Sequence, residues 1–189
     1  NSIYDGHCRD RQPAPQTDFA VRIKTGPGTI GFNDLIQGSF QQQLQKEVGD
    51  FVLLRRDNRF SYQLAVVVDD AFQNITHVIR GIDLLDSTPR QIYLQGLLGY
   101  TTPAYAHIPV LINEQGQKLS KQHFAESIDG HPAGALLHYC LSTLGQNPDT
   151  SLAAALPQDV LHWAVQHWDI HAVPRLANIP QPSPPLPFS

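Results

Sequence analysis

The chain has 189 residues, 41% of them hydrophobic and 16% charged, and its formal net charge is −4. This size suits about one domain with a buried core, whereas the mild acidity gives no whole-chain sign of nucleic-acid binding. No apolar run approaches the ~20 residues of a membrane helix, and the two cysteines, Cys8 and Cys140, exclude a disulfide scaffold and favour a reducing, cytosolic compartment.

Charge is unevenly distributed along the chain. Residues 1–121 hold 12 of the 13 lysines and arginines and 12 of the 17 acids, whereas residues 122–189 hold only Arg175 against five acids. This shift predicts a boundary near residue 122. The last stretch, 174–189, holds six of the 15 prolines, and we expect an extended tail there rather than a packed element.

The first eighty residues alternate short strands with turns. Strands are predicted at 19–23, 29–32, 51–54 and 75–80, and a glycine–proline turn lets the second strand return against the first. Residues 62–68 fit either a strand or a helix, because a short apolar run does not decide between the two.

A helix and another strand are predicted next. The helix begins with Thr88 as its N-cap and Pro89 in its first turn, and it ends at Gly99. Residues 105–112 are strand-like and lead into a turn around Gly116. This succession of strand, helix, strand and turn is typical of an α/β fold.

After the predicted boundary near residue 122, the apolar residues follow a helical period. Apolar residues repeat at helical spacing over 136–144, and Gly145 follows as a terminator. Pro157 opens a second predicted helix. Its apolar face consists of Val160, Leu161, Ala164, Val165 and Trp168. The sequence therefore predicts a small helical unit in this part of the chain.

The tetrapeptide Lys118-Leu119-Ser120-Lys121 is the strongest local signal for chemistry. It follows a strand and a glycine turn, so its lysines are predicted to lie on a loop at a strand end. Two compact positive charges on one loop can grip a polyphosphate and stabilise the oxyanions that develop during nucleotidyl transfer. A solvated lysine pair on a turn is the alternative interpretation.

An arginine at the end of a predicted strand is the second candidate. Arg80 precedes Gly81, and the carboxyl ends of strands in open α/β sheets border the ligand crevice. Its guanidinium can hold a carboxylate in a bidentate fork. The alternative is a structural ion pair with Asp83 or Asp86.

The segment Tyr4-Asp5-Gly6-His7-Cys8 carries one histidine and one cysteine close together. A structural zinc ion needs about four ligands. Taken by itself, the segment therefore does not indicate a metal site.

Four segments of the chain follow one another in a distinctive order. They are FSYQLAVVVDD (60–70), ITHVIRG (75–81), STPRQ (87–91) and KLSK (118–121). Over about residues 51–125 their order and spacing resemble the glutamyl class I aminoacyl-tRNA synthetases. The resemblance implies an α/β fold in which residues 51–122 form the second half of a Rossmann-type catalytic domain. A helical, stem-contact-like unit at 123–178 and a proline-rich tail at 179–189 would follow it.

The resemblance also implies a role for each matched position. Lys118, Leu119, Ser120 and Lys121 correspond to the family's KMSKS-type loop, which grips ATP, and the two lysines are the implied catalytic residues. Tyr62 and Arg80 match the positions that hold the glutamate substrate, and a helix rather than a strand is implied around Tyr62. ATP is the implied co-substrate, with Mg²⁺ as its counter-ion.

The length after the KMSKS-type loop distinguishes two branches of the family. Only 68 residues follow Lys121, which resembles the glutamyl-queuosine tRNA(Asp) synthetases, a branch without an anticodon-binding domain. These enzymes activate glutamate with ATP and transfer it to the queuosine base of tRNA(Asp). The alternatives are a truncated glutamyl-tRNA synthetase that charges tRNA(Glu), and a non-catalytic remnant that only binds a partner.

The N-terminal segment supports the same branch. The resemblance implies that residues 1–50 form the end of the acceptor-side insertion. It also implies that Tyr4 and Cys8 match the last two of four zinc ligands. Neither the upstream Cys-x-Cys pair nor the HIGH motif of the first catalytic half occurs in this sequence. We therefore expect about a hundred further residues in a longer enzyme, no activity from this chain alone, and weak or no zinc binding by two ligands.

Overall fold

A computed structural model of the chain describes residues 3–4, 6–7, 9–10, 19–119 and 127–181. The chain divides into two compact units. The first comprises Asn1–Asp34, Gly38–Val78 and Leu84–Tyr105, and the second comprises Leu35–Gln37, Ile79–Asp83 and Ala106–Ser189. The domain boundaries expected from composition and resemblance stay predictions.

Short antiparallel pairs form the strands of the first unit. Its elements are β1 (Val21–Ile23), β2 (Ile30–Asp34), β3 (Gly38–Gln42), α1 (Leu44–Glu47), β4 (Phe51–Leu54), α2 (Tyr62–Phe72) and α3 (Thr88–Leu98). β1 pairs with β4, and β2 pairs with β3. The expectation that the second strand returns against the first is therefore wrong. Asp34 faces Gly38 in the β2–β3 register, and the positive φ of Gly38, 85°, accommodates this close reversal.

Helix α2 resolves the ambiguity of the apolar run that follows Ser61. The helix interpretation is confirmed, although β-branched valines favour strands. Val67 is 1% exposed and belongs to a core cluster with Leu44, Phe51 and Leu94. Burial of one helix face therefore outweighs the local preference of these residues for a strand.

The start of α3 differs from the prediction. The helix begins at Thr88 and Ser87 occupies the N-cap position, so the assignment of Thr88 as the cap is wrong. A 3₁₀ helix at Ile82–Ser87 runs directly into α3, so the chain is already helical before Thr88. The predicted end is confirmed, because Gly99 terminates the helix in the left-handed conformation at φ 71°.

Two further strands continue the predicted α/β succession. β5 (His77–Gly81) pairs with β6 (Ala104–Ile108). The single strand predicted over 105–112 is in fact two, because β7 (Val110–Ile112) follows β6 after a break at Pro109. Proline lacks the N–H that a continuous ladder needs.

The second unit contains the two predicted C-terminal helices. α4 (Ala133–Thr143) and α5 (Pro157–His167) pack against each other, and 3₁₀ turns occupy Thr150–Ala154 and Ile170–Ala172. Gly145 follows α4 with a φ of 75°. Ile36, Ala106 and Val173 form the buried cluster of this unit, with Ile108, Leu144 and Ile170 packed against it.

The apolar face assigned to α5 is only partly buried. Val160 is completely buried, whereas Leu161, Val165 and Trp168 are exposed. Hydrophobic periodicity locates the helix correctly but does not show which of its apolar positions find a neighbour.

The C-terminal segment contains a packed strand. β8 (Asn178–Pro180) pairs in parallel with β7, and Ile179 is half-buried. The prediction that 174–189 is an extended, unpacked tail is therefore wrong for this part. An edge strand tolerates the proline of β8, and the expectation for residues 182–189 falls outside the described residues. None of the helices at the described positions combines the length and hydropathy needed to cross a membrane.

Replacing Leu44 with alanine is expected to lower the free energy of unfolding by about 2–5 kcal/mol, because the side chain is buried in the first unit's core. Urea denaturation followed by circular dichroism measures the change. Leu97→Ala is the matched control, since Leu97 also lies on a helix but is 56% exposed. Equal losses for the two variants would contradict this description of the core.

Candidate active site

The first predicted catalytic lysine lies on the second arm of a β-hairpin. Lys118 faces Ile112 of β7 in an antiparallel bridge, and the Leu119 N–H donates to the Leu111 carbonyl at 2.9 Å. Gly116, with a φ of 74°, allows the turn between the arms. The predicted turn is confirmed.

Two members of the tetrapeptide, Ser120 and Lys121, lie outside the described residues. Only Lys118 and Leu119 can therefore be placed by the structure. The ATP-binding role of all four residues stays a prediction.

Lys118 is held by a carboxylate that follows β5. Its Nζ lies 2.6 Å from Oδ2 of Asp83, and the side chains are 48% and 41% exposed. An ion pair this exposed contributes about 0–1 kcal/mol. The amine can therefore exchange Asp83 for another anion, such as a phosphate, at small energetic cost.

Arg80, the predicted ligand of a substrate carboxylate, lies near the end of β5 and is half-buried. Its Nε donates a hydrogen bond to Nε2 of His107, at 3.1 Å. His107 lies on β6 and is completely buried.

Sequence reasoning did not single out His107, although a signal was present. It is a lone polar residue within the apolar run of β6. A buried polar group requires a hydrogen-bond partner, and Arg80 at the end of the preceding strand is a natural candidate.

Tyr62, the second predicted glutamate-binding residue, opens α2 and is 49% exposed. The next residue, Gln63, joins α2 to the start of α3. Gln63 Nε2 donates to Ser87 Oγ at 3.0 Å, and Gln91 Nε2 donates to Gln63 Oε1 at 2.9 Å. Because Gln91 is buried, this network fixes the first turn of α2 and the backbone that carries Tyr62.

Arg90 completes the network on the α3 side. Its Nη2 donates to Ser87 Oγ at 3.1 Å. Burial lowers the pKa of the Arg90 guanidinium, and the carboxylate of Asp86 acts in the opposite direction. The STPRQ segment is thus a structural junction between two helices, and it includes a partly desolvated cation, Arg90.

The sequence of the chain is similar to that of a known protein family. A family model described as tRNA synthetases class I (E and Q), catalytic domain, matches residues 6–136. The chain belongs to this class I synthetase family. The predicted fold class, an α/β catalytic domain of this type, is confirmed.

Relatives within the class I synthetases share about half of the residues. The chain is 50% identical over 182 residues to the glutamyl-Q tRNA(Asp) synthetase of Thiobacillus denitrificans, covering 96% of this chain and 60% of the relative. It is 46% identical over 179 residues to the protein of the same name from Pseudomonas aeruginosa, covering 95% and 61%. The chain thus spans about 60% of the length of the curated relatives it matches.

Solved structures of class I synthetases share the fold. A glutamate tRNA ligase from Elizabethkingia meningosepticum, in complex with its amino acid, superposes with a TM-score of 0.63. That match has 24% identity and covers 84% of this chain and 36% of the other. The glutamate-tRNA synthetase of Elizabethkingia anophelis gives the same TM-score over 85% and 36%.

Only part of the zinc site that the synthetase resemblance implies lies among the described residues. The Tyr4 ring lies under the Arg22 guanidinium, 4.3 Å from ring centroid to Cζ, and Cys8 falls outside the described residues. At the positions the structure covers, no three His, Cys, Asp or Glu side chains group as a metal centre requires. The described residues offer no zinc site, and the roles of Tyr4 and Cys8 as zinc ligands stay predictions.

Proposed function

We propose that this protein activates glutamate with ATP and transfers the glutamyl group to the queuosine base of tRNA(Asp). The observation that carries the proposal is the identity of 46–50% over 95–96% of the chain to relatives named glutamyl-Q tRNA(Asp) synthetase. Membership of the class I synthetase family supports the use of ATP and an amino acid. We propose a cytoplasmic location, the compartment that two cysteines without a disulfide scaffold favour.

In the proposed activation step, Arg80 and Tyr62 bind glutamate. The guanidinium pairs with a carboxylate of the substrate, and the phenol hydroxyl forms a hydrogen bond with it. Arg80 is only half-buried and Tyr62 is exposed, which leaves both side chains accessible to a small ligand.

The KLSK segment acts on ATP. A carboxylate oxygen of glutamate attacks the α-phosphorus, forming glutamyl-adenylate while the bond to pyrophosphate breaks. Lys121, assisted by Lys118, stabilises the negative charge that accumulates on the leaving pyrophosphate. Mg²⁺ bound to ATP as its counter-ion would neutralise part of the phosphate charge. The weak Asp83 contact supports this role, because Lys118 can leave it for a phosphate.

Charging assays test the proposal. The protein is purified from its source at its natural length, and its intact mass is measured, before incubation with labelled glutamate, ATP and transfer RNA. We expect label on tRNA(Asp) that contains queuosine. Matched tRNA(Asp) lacking queuosine is expected to stay unlabelled, because it has no acceptor for the glutamyl group.

Two other results would overturn the proposal. Label on tRNA(Glu) instead of tRNA(Asp) would identify a glutamyl-tRNA synthetase. Absence of any glutamate-dependent pyrophosphate exchange would identify a non-catalytic protein that binds a partner.

A further inference from the structure

His107 is a completely buried ionisable residue that the proposed activation step does not use. It lies in the middle of β6, where Tyr105 and Ala106 are also buried. Its backbone carbonyl accepts a hydrogen bond from Gln37 Nε2 at 2.8 Å, which fixes the strand at this position. Its imidazole contacts Arg80, whose Nε lies 3.1 Å from Nε2 of the ring.

The direction of this hydrogen bond fixes the state of the imidazole. A guanidinium can only donate, so Nε2 of His107 must offer a lone pair. The ring is therefore neutral, with its proton on Nδ1. A doubly protonated ring would have no acceptor for Arg80 and would bring two positive charges together.

A hydrogen bond at Nε has a specific consequence for a planar guanidinium. Nε is the donor closest to the chain, and fixing it sets the plane of the group and the direction of the two terminal nitrogens. A bidentate contact with a carboxylate depends on that plane. An arginine anchored at Nε is therefore pre-organised before the ligand arrives.

We propose that His107 is a positioning residue for substrate recognition: its neutral imidazole accepts from Arg80 Nε and orients the guanidinium toward the carboxylate of glutamate. This inference rests on the proposed function, in which Arg80 binds glutamate. His107 itself touches no substrate. Its effect is confined to the affinity for glutamate and leaves the handling of ATP unchanged.

Two substitutions separate positioning from simple packing. Gln carries a polar group at about the reach of Nε2 and can accept a hydrogen bond there, whereas Leu fills much of the volume but has no acceptor. We expect His107→Leu to raise the KM for glutamate about tenfold or more, while kcat and the KM for ATP change less than about threefold. His107→Gln is expected to restore most of the affinity.

Pyrophosphate exchange by the protein at its natural length provides these constants, and Arg80→Lys is measured in parallel. If Arg80→Lys leaves the KM for glutamate unchanged, the substrate-binding role of Arg80 fails, and this inference fails with it. If Arg80→Lys raises the KM for glutamate but His107→Leu does not, only the positioning role of His107 is refuted. Equal increases in the KM for glutamate in both His107 variants would indicate that His107 acts only through packing. That result would also refute its positioning role.

A spectroscopic measurement does not depend on activity or on the folding of a variant. Nitrogen-15 NMR of the histidine rings in the wild-type protein distinguishes the tautomers. We expect His107 to be protonated at Nδ1 and unprotonated at Nε2 at neutral pH. Protonation at Nε2 would overturn the inference, because that atom could not then accept from Arg80.

Discussion

Replacing Lys121 with alanine is expected to depress glutamate-dependent pyrophosphate exchange by about a hundredfold or more. In the proposed mechanism, the variant lacks the positive charge that stabilises the departing pyrophosphate, and loss of one preorganised group of this kind costs about 10²–10³ in rate. Lys118→Ala is expected to lower the rate less, because the proposed mechanism gives Lys118 only an assisting role. Exchange of labelled pyrophosphate into ATP at saturating glutamate measures both effects.

Lys46→Ala is the control for a general loss of positive charge. Lys46 lies on α1 and is exposed. Its removal is expected to leave the exchange rate unchanged within about twofold. Unchanged activity in Lys121→Ala would show that the KLSK segment does not serve as the ATP-gripping loop.

Replacing Gly134 with alanine is expected to lower the free energy of unfolding by about 3 kcal/mol. Gly134 lies in the first turn of α4, and a Cβ at this position would overlap the carbonyl oxygen of Ala155. Because the obstacle is backbone, no side-chain rotation can relieve the overlap. Urea unfolding, with the m-value compared between variants, measures the loss.

A glycine-to-alanine substitution in α3 is expected to raise the free energy of unfolding instead of lowering it. Gly96 is exposed, and nothing lies within 4 Å of the Cβ that alanine would add. Gly96→Ala is therefore expected to stabilise the protein by about 0.5–1 kcal/mol through helix propensity alone. A stabilising effect at both positions would contradict the close approach of α4 to Ala155.

Local signals in the sequence locate most of the regular elements. Gly99 and Gly145 end their helices as expected, because a left-handed residue after a helix is a local requirement. Strand pairing was predicted less well. β1 pairs with β4 rather than with the strand that follows it, since the partner depends on distant residues and not on the intervening turn.

The same distinction between local signals and distant partners applies to the candidate site. Tyr62, Arg80 and the KLSK segment are predicted as site residues from the order and spacing of their motifs, which the local sequence contains. His107 is different, because its proposed role depends on a contact between side chains 27 positions apart. A histidine in an apolar strand indicates that a partner exists, but only the fold identifies Arg80 as that partner.

The parallel pairing of β7 with β8 affects the order in which the hairpin that carries Lys118 can form during translation. Ile112 bridges to Lys118 on one side and faces Pro180 on the other, where the Gln181 N–H donates to its carbonyl at 2.9 Å. The hairpin can close soon after Leu119 leaves the ribosome. Its β7 arm, however, gains β8 as a second neighbour only after the helical region has been synthesised. Nascent chains released early would therefore carry Lys118 opposite a β7 strand that is hydrogen-bonded along one edge only.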